Sequence, residues 1–74
     1  MNLQIVMDGC GDTRHEFDPA NSVSIGEAAA RFRQLTKEGY RAVALGKVGQ
    51  PGTLLREFDA KAEQTLFIPR LQGG

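Results

Sequence analysis

Ser24-Ile25-Gly26-Glu27-Ala28-Ala29-Ala30-Arg31-Phe32-Arg33-Gln34-Leu35-Thr36-Lys37-Glu38-Gly39 is the stretch on which the fold turns, because it carries the one long helical pattern in the chain. Ile25, Ala28, Ala29, Phe32, Leu35 and Thr36 fall on one stripe, and Glu27, Arg31, Gln34, Lys37 and Glu38 lie mostly off it. Ser24 followed by Glu27 fits a capping box, Val23 is placed to staple onto Ala28, and Ser22 is the rival N-cap. Gly26 weakens the start slightly. Gly39 suits the position just past the end, with Lys37 in the last turn.

Both flanks of this helix read as strands. Upstream, residues 1–7 alternate, with Leu3, Ile5 and Met7 on one face and Asn2 and Gln4 on the other. Asp8-Gly9-Cys10-Gly11-Asp12 is turn chemistry, and residues 13–18 form a second run that ends at Pro19. Two runs joined by a Gly-rich loop predict a β-hairpin. Downstream, residues 40–45 form a third strand, and residues 46–52, with Gly46, Gly49, Pro51 and Gly52, form a loop. Residues 53–58 are a short strand candidate, residues 59–64 suit one helical turn, and residues 65–68 form the last strand. A hairpin, one helix and further strands cannot make a doubly wound sheet, since one helix covers only one face. The expected class is α+β: a mixed sheet of four to five strands with one helix on one face, and the first and last strands paired centrally. Matching the periodicities sets Ile25, Ala28, Phe32 and Leu35 against Leu3, Ile5, Phe17 and Leu66.

Composition narrows the function. The chain has 74 residues, enough for one domain burying ~60% of its unfolded surface. With 9 basic and 9 acidic side chains it lacks the basic excess of a nucleic-acid or anionic-membrane binder. One cysteine and one histidine give neither an internal disulfide nor a zinc site. No apolar stretch is long enough to span a bilayer, and Met1-Asn2-Leu3-Gln4 has no charged leader region. The expected setting is a reducing cytoplasm.

The last residues are unlike the rest. Pro69 removes a ladder donor, so strand pairing is expected to end by Ile68. Arg70-Leu71-Gln72-Gly73-Gly74 follows as a polar segment, expected to be a flexible tail beyond a globular domain of residues 1–69. Glycine lets a backbone approach a catalytic centre closely, because no Cβ intervenes. If extended, residues 70–74 reach about 16 Å at ~3.3 Å per residue, enough to enter a crevice while the globule stays outside.

Several segments, in order and spacing, resemble ubiquitin and its β-grasp relatives. Glu16-Phe17-Asp18-Pro19 is similar to the acidic-apolar-acidic-proline run before the ubiquitin helix, and Lys37-Glu38-Gly39 to the Lys-Glu-Gly that closes it. Arg41-Ala42-Val43-Ala44-Leu45-Gly46-Lys47 resembles an Arg, three apolar residues and Ala-Gly-Lys. Thr53-Leu54 and Glu63-Gln64-Thr65-Leu66 find counterparts, and Arg70-Leu71-Gln72-Gly73-Gly74 stands against Arg-Leu-Arg-Gly-Gly. The chain departs from the pattern in about one extra helical turn, a short loop after Gly39, Pro69 in place of a β-branched residue, and Gln72 in place of an arginine. That divergence implies a bacterial or otherwise distant member of the ubiquitin-like modifiers.

The resemblance implies a substrate rather than an enzyme. In the family an activating enzyme uses ATP to adenylate the terminal carboxylate, here that of Gly74. A cysteine of that enzyme then takes the acyl group as a thioester, and a conjugating enzyme passes it to a lysine of a target protein as an isopeptide bond. A deconjugating peptidase, a metallopeptidase in many bacterial systems, removes it. No cofactor is bound by the modifier itself. Residue by residue, Gly73 and Gly74 are the acyl donor, and Arg70, Leu71 and Gln72 are read by the activating enzyme. A guanidinium forks onto a carboxylate, which makes Arg70 the specificity residue. Val43 matches the isoleucine of an exposed recognition patch, which Leu45, Phe67 and Ile68 would complete. Alternation alone leaves open whether Val43 or its neighbours Ala42 and Ala44 face the core. Lys47 matches by position a chain-linking lysine, against the plainer reading of a solvated loop lysine. Cys10, with no base beside it in sequence, is expected to be inert, and His15, on a strand face with Phe17, to be structural. Two other functions fit a β-grasp chain. One is a sulfur carrier that forms a thiocarboxylate at the same glycine; the other is a non-covalent interaction module.

Overall fold

The structure, a computed structural model, describes residues 1–9, 11–46 and 52–69. Among them the chain runs β1 (Asn2–Asp8), β2 (Gly11–Phe17), α1 (Ser22–Lys37), β3 (Arg41–Ala44), β4 (Thr53–Leu55) and β5 (Gln64–Ile68). The strands form one sheet in the order β2-β1-β5-β3-β4. β1 and β2 are an antiparallel hairpin closing at Asp8 opposite Gly11, whose φ of 130° is a conformation suited to glycine. β1 and β5 run parallel at the centre, and β3 pairs antiparallel with both β5 and β4. The result is a small α+β domain, a mixed five-stranded sheet with one helix across one face. β5 ends at Ile68, before Pro69. Residues 59–64 form no helix. Asp59 instead makes an Asx-type turn, its Oδ1 accepting from the Lys61 N–H at 2.9 Å and its carbonyl from the Ala62 N–H at 3.2 Å.

The helix starts earlier than the capping box predicts. Asn21 is the N-cap, its Oδ1 accepting from the N–H groups of Val23 and Ser24 at 2.9 and 3.1 Å. Ser24 is used differently: its hydroxyl accepts from the Asp18 N–H at 2.8 Å, which ties the end of β2 to the first turn. Val23 is 70% exposed, so no staple forms. The C-terminus follows expectation. Gly39 has φ 104°, the Gly39 N–H donates to Thr36 O at 3.1 Å, and the Tyr40 N–H donates to Leu35 O at 3.0 Å. These two bonds make a Schellman closure, and Leu35 and Tyr40 both pack on the core beneath it.

The core corrects the sequence reading of β1. Its helix-facing side carries Asn2, Gln4 and Val6, with Gln4 fully buried. Gln4 Nε2 donates to the Ala28 carbonyl at 3.0 Å, and Gln4 Oε1 accepts from Arg31 Nη1 at 2.9 Å. Asn2 Nδ2 donates to the Ala60 carbonyl at 2.8 Å. A buried amide costs little once its polar atoms are paired. Around these amides lie Phe17, Ala28, Phe32, Ala42 and Phe67, all buried, with Thr65 beside Phe67 on β5. Phe32 meets Phe67 edge-on at 5.7 Å and Phe58 at 6.1 Å, and Phe58 also meets Phe17 at 5.7 Å. Of the expected packing, Ala28, Phe32, Leu35 and Phe17 do face inward. Leu3, Ile5 and Leu66 alternate with the buried residues and so lie on the opposite face.

His15 stands on the inner side of β2, half-buried in a cleft between that strand and α1 that Val6, Arg31 and Leu35 also line. Burial holds its pKa below the ordinary 6.5, and the Arg31 guanidinium adds to the effect. The unfolded chain therefore binds this proton more readily than the folded one. The His15 contribution to stability is whole above the ordinary pKa and is lost as pH falls from there through the lower folded value. Urea midpoints measured from pH 7.5 to pH 5 should fall for the parent and fall less for His15→Gln. Parallel curves for the two proteins would refute the assignment.

Candidate functional site

The face of the sheet turned away from the helix is apolar along its middle. Register places Ile5 beside Leu66, Leu66 beside Val43, and Val43 beside Leu54, a row across four strands. Ile68, two residues along β5 from Leu66, lies opposite Arg41. Leu45 continues β3 on the same side, its N–H donating to Gln64 O at 2.9 Å. Leu54 is 59% exposed, Ile68 39% and Leu45 36%, so the row meets water. The charged side chains of β2 flank it: Arg14 opposes Ile5 and Glu16 opposes Leu3, and Arg14 Nε pairs with Asp12 Oδ2 at 3.3 Å in the open. Among the described residues, then, the sheet face opposite the helix carries an apolar strip with a charged border.

Three of the four residues expected to form the patch sit on this face: Val43, Leu45 and Ile68. The alternation left open on β3 resolves with Ala42 buried inward and Val43 outward. Phe67 does not belong to the patch. It is fully buried, edge-on to Phe32, because strand alternation sends it to the side opposite Leu66 and Ile68. The residues that sequence reasoning missed are Leu3, Ile5, Leu54 and Leu66. Their period-two signal was visible in β1, but it marks the open face rather than the core.

One glycine presses on this surface. A Cβ built on Gly52 would lie 2.6 Å from Val43 Cγ1 and 3.3 Å from the Ala44 carbonyl oxygen. Gly52→Ala must displace Val43 and should cost ~1–3 kcal/mol as overpacking. Gly26→Ala, where an added Cβ meets nothing within 4 Å, should instead stabilise the helix by ~0.5–1 kcal/mol. Thermal melts of the two variants should move in opposite directions; a Gly52→Ala melt equal to the parent's would show that the contact yields freely.

Gly73 and Gly74, the proposed acyl donor, lie outside the described residues, as do Arg70, Leu71, Gln72, Lys47 and Cys10. Among the described residues no group of three or more His, Cys, Asp or Glu side chains is placed to hold a metal ion, and no helix is long and apolar enough to cross a membrane. No protein-family model matches the chain, and neither does any curated protein or solved structure.

Proposed function

We propose that this chain is a ubiquitin-like modifier with a β-grasp fold, activated at the Gly74 carboxylate and transferred to amino groups of target proteins. The observation that carries this reading is the path of β5. That strand supplies Leu66 and Ile68 to the apolar outer face, ends at Ile68, and is followed by Pro69 and then Arg-Leu-Gln-Gly-Gly. A partner seated on the apolar face thus holds the reactive end within about 20 Å of the sheet, the reach of the six residues after Ile68 at ~3.3 Å each. Two further features support the reading. The element order and the central parallel pair of β1 and β5 are compatible with a β-grasp sheet, and Val43 is outward where the resemblance implies a recognition residue.

The chemistry needs little from the modifier itself. Adenylation turns a carboxylate, a poor electrophile, into a mixed anhydride with ATP consumed and pyrophosphate released. A thiolate of the activating enzyme displaces the nucleotide, and an amine then displaces the thiol. Arg70 positions the tail by pairing with a carboxylate of the activating enzyme, and Gly73 and Gly74 let the backbone thread a narrow channel. A conjugating enzyme carries the thioester onward, and a deconjugating peptidase reads the same tail in reverse.

The test is incubation of the chain with ATP and its activating enzyme, followed by intact-mass analysis with and without reductant. A reductant-labile adduct between chain and enzyme supports the modifier. A sulfur-for-oxygen change on the free chain would mean a sulfur carrier, and no ATP-dependent change at all would mean an interaction module.

A further inference from the structure

A second pocket lies on the helix side of the molecule, away from the apolar sheet face. Ala29, Phe32, Arg33 and Thr36 line it from successive turns of α1, and Arg56, Glu57 and Phe58 close it from the segment after β4. Its volume is about 260 Å³. For comparison, a buried cavity of ~150 Å³ suffices to take a benzene ring. Phe32 is buried and Phe58 half-buried, and their rings meet edge-on at 6.1 Å in the wall of the pocket. Arg33 and Arg56 are exposed, and neither guanidinium has a hydrogen bond or ion pair among the described residues. Glu57 is likewise exposed and unpaired, so the three charges leave the rim net positive.

We propose that this pocket binds an acidic peptide segment of a partner protein, one apolar side chain seated against Phe32 and Phe58 and flanking carboxylates on Arg33 and Arg56. Each part of the site asks for that chemistry. The aromatic wall gains by covering apolar surface. Two uncommitted guanidiniums offer forked donors that match carboxylates. Glu57 opposes an acidic ligand, which makes the affinity modest and gives the site a built-in sign test. The pocket and the apolar face lie on opposite sides of the sheet, so a partner here leaves the outer face free. The inference does not rest on the acyl-transfer reading and survives its failure.

The experiment is an NMR titration of the ¹⁵N-labelled full chain with an acetylated, amidated probe, Glu-Glu-Phe-Glu-Glu. Saturable shifts should centre on Ala29, Arg33, Thr36 and residues 56–58, and weaken with added salt. Removing one exposed ion pair is worth about two- to fivefold, so Arg33→Ala with Arg56→Ala should weaken binding about tenfold, and Glu57→Gln should tighten it about two- to fivefold. Arg33→Lys with Arg56→Lys should keep part of the affinity, since the charge remains but the fork is lost. All these positions are exposed, and unchanged melting confirms that each variant folds. Equal binding of a Gln-Gln-Phe-Gln-Gln probe, or of one with alanine for the phenylalanine, would overturn the proposal. Shifts centred on Val43 and Leu66, unchanged affinity in the double arginine variant, or no saturation would do the same.

Discussion

Phe32→Ala should cost ~3–5 kcal/mol, close to the whole stability expected of a domain this small. The argument is local. Phe32 is 2% exposed, meets Phe67 and Phe58 edge-on, and belongs to the buried cluster with Ala42. Truncation removes the ring's transfer free energy and leaves a void between helix and sheet that Val6, Leu35, Tyr40 and Leu55 would have to fill. Those side chains stand on two strands, the helix and the turn after it, so no single shift closes the gap. Urea denaturation followed by circular dichroism should find the variant mostly unfolded or with a midpoint near zero denaturant. Leu54→Ala and Ile68→Ala, large apolar residues on the exposed face, should stay within about 0.5 kcal/mol of the parent. A Phe32→Ala protein as stable as these two would mean that the sheet is covered from its other side.

That contrast bears on what the sequence disclosed. Element order was legible because its signals are local: the stripe from Ile25 to Leu35, Gly39 at the helix end, and Pro69 after the last strand. The side of β1 that is buried was not. Alternation specifies two faces but not which one meets the helix, and a chain whose open face is apolar reverses the usual inference. Leu3 and Ile5 read as core because apolar residues usually are. Asn2 and Gln4 read as solvated because nothing in the sequence shows that the carbonyls of Ala60 and Ala28 wait for them, at separations of 58 and 24 residues. Phe67 and Ile68 part for a related reason: adjacent residues of a strand lie on opposite faces, so Ile68 meets water while Phe67 is buried. The pocket between Arg33 and Arg56 was invisible in sequence, since residues on a helix and on the segment after β4 meet only once the chain is folded.

On the proposed modifier function, deleting Gly74, or changing it to Ala, should abolish ATP-dependent transfer and leave melting unchanged. The stability half follows from where the core sits: every buried side chain among the described residues lies before Pro69. The activity half is geometric. The reacting carbonyl must come within bonding reach of a nucleophile held by another protein, and a misplacement of ~1 Å can cost ~10²-fold. Deletion moves that carbon by a whole residue, ~3.3–3.6 Å. Alanine keeps the length but adds a methyl at a Cα that a channel shaped around bare backbone must accommodate. Intact-mass analysis with ATP and the activating enzyme should find the reductant-labile adduct in the parent and lose it in both variants. The expectation holds whether Gly74 is encoded as the end or exposed by cleavage, because only the free carboxylate is read. If the parent instead gains sulfur in place of oxygen and the variants do not, the tail serves sulfur transfer. If deletion leaves the adduct intact, the acyl donor is not Gly74, and the apolar face of Ile5, Val43, Leu54 and Leu66 must be explained by binding alone.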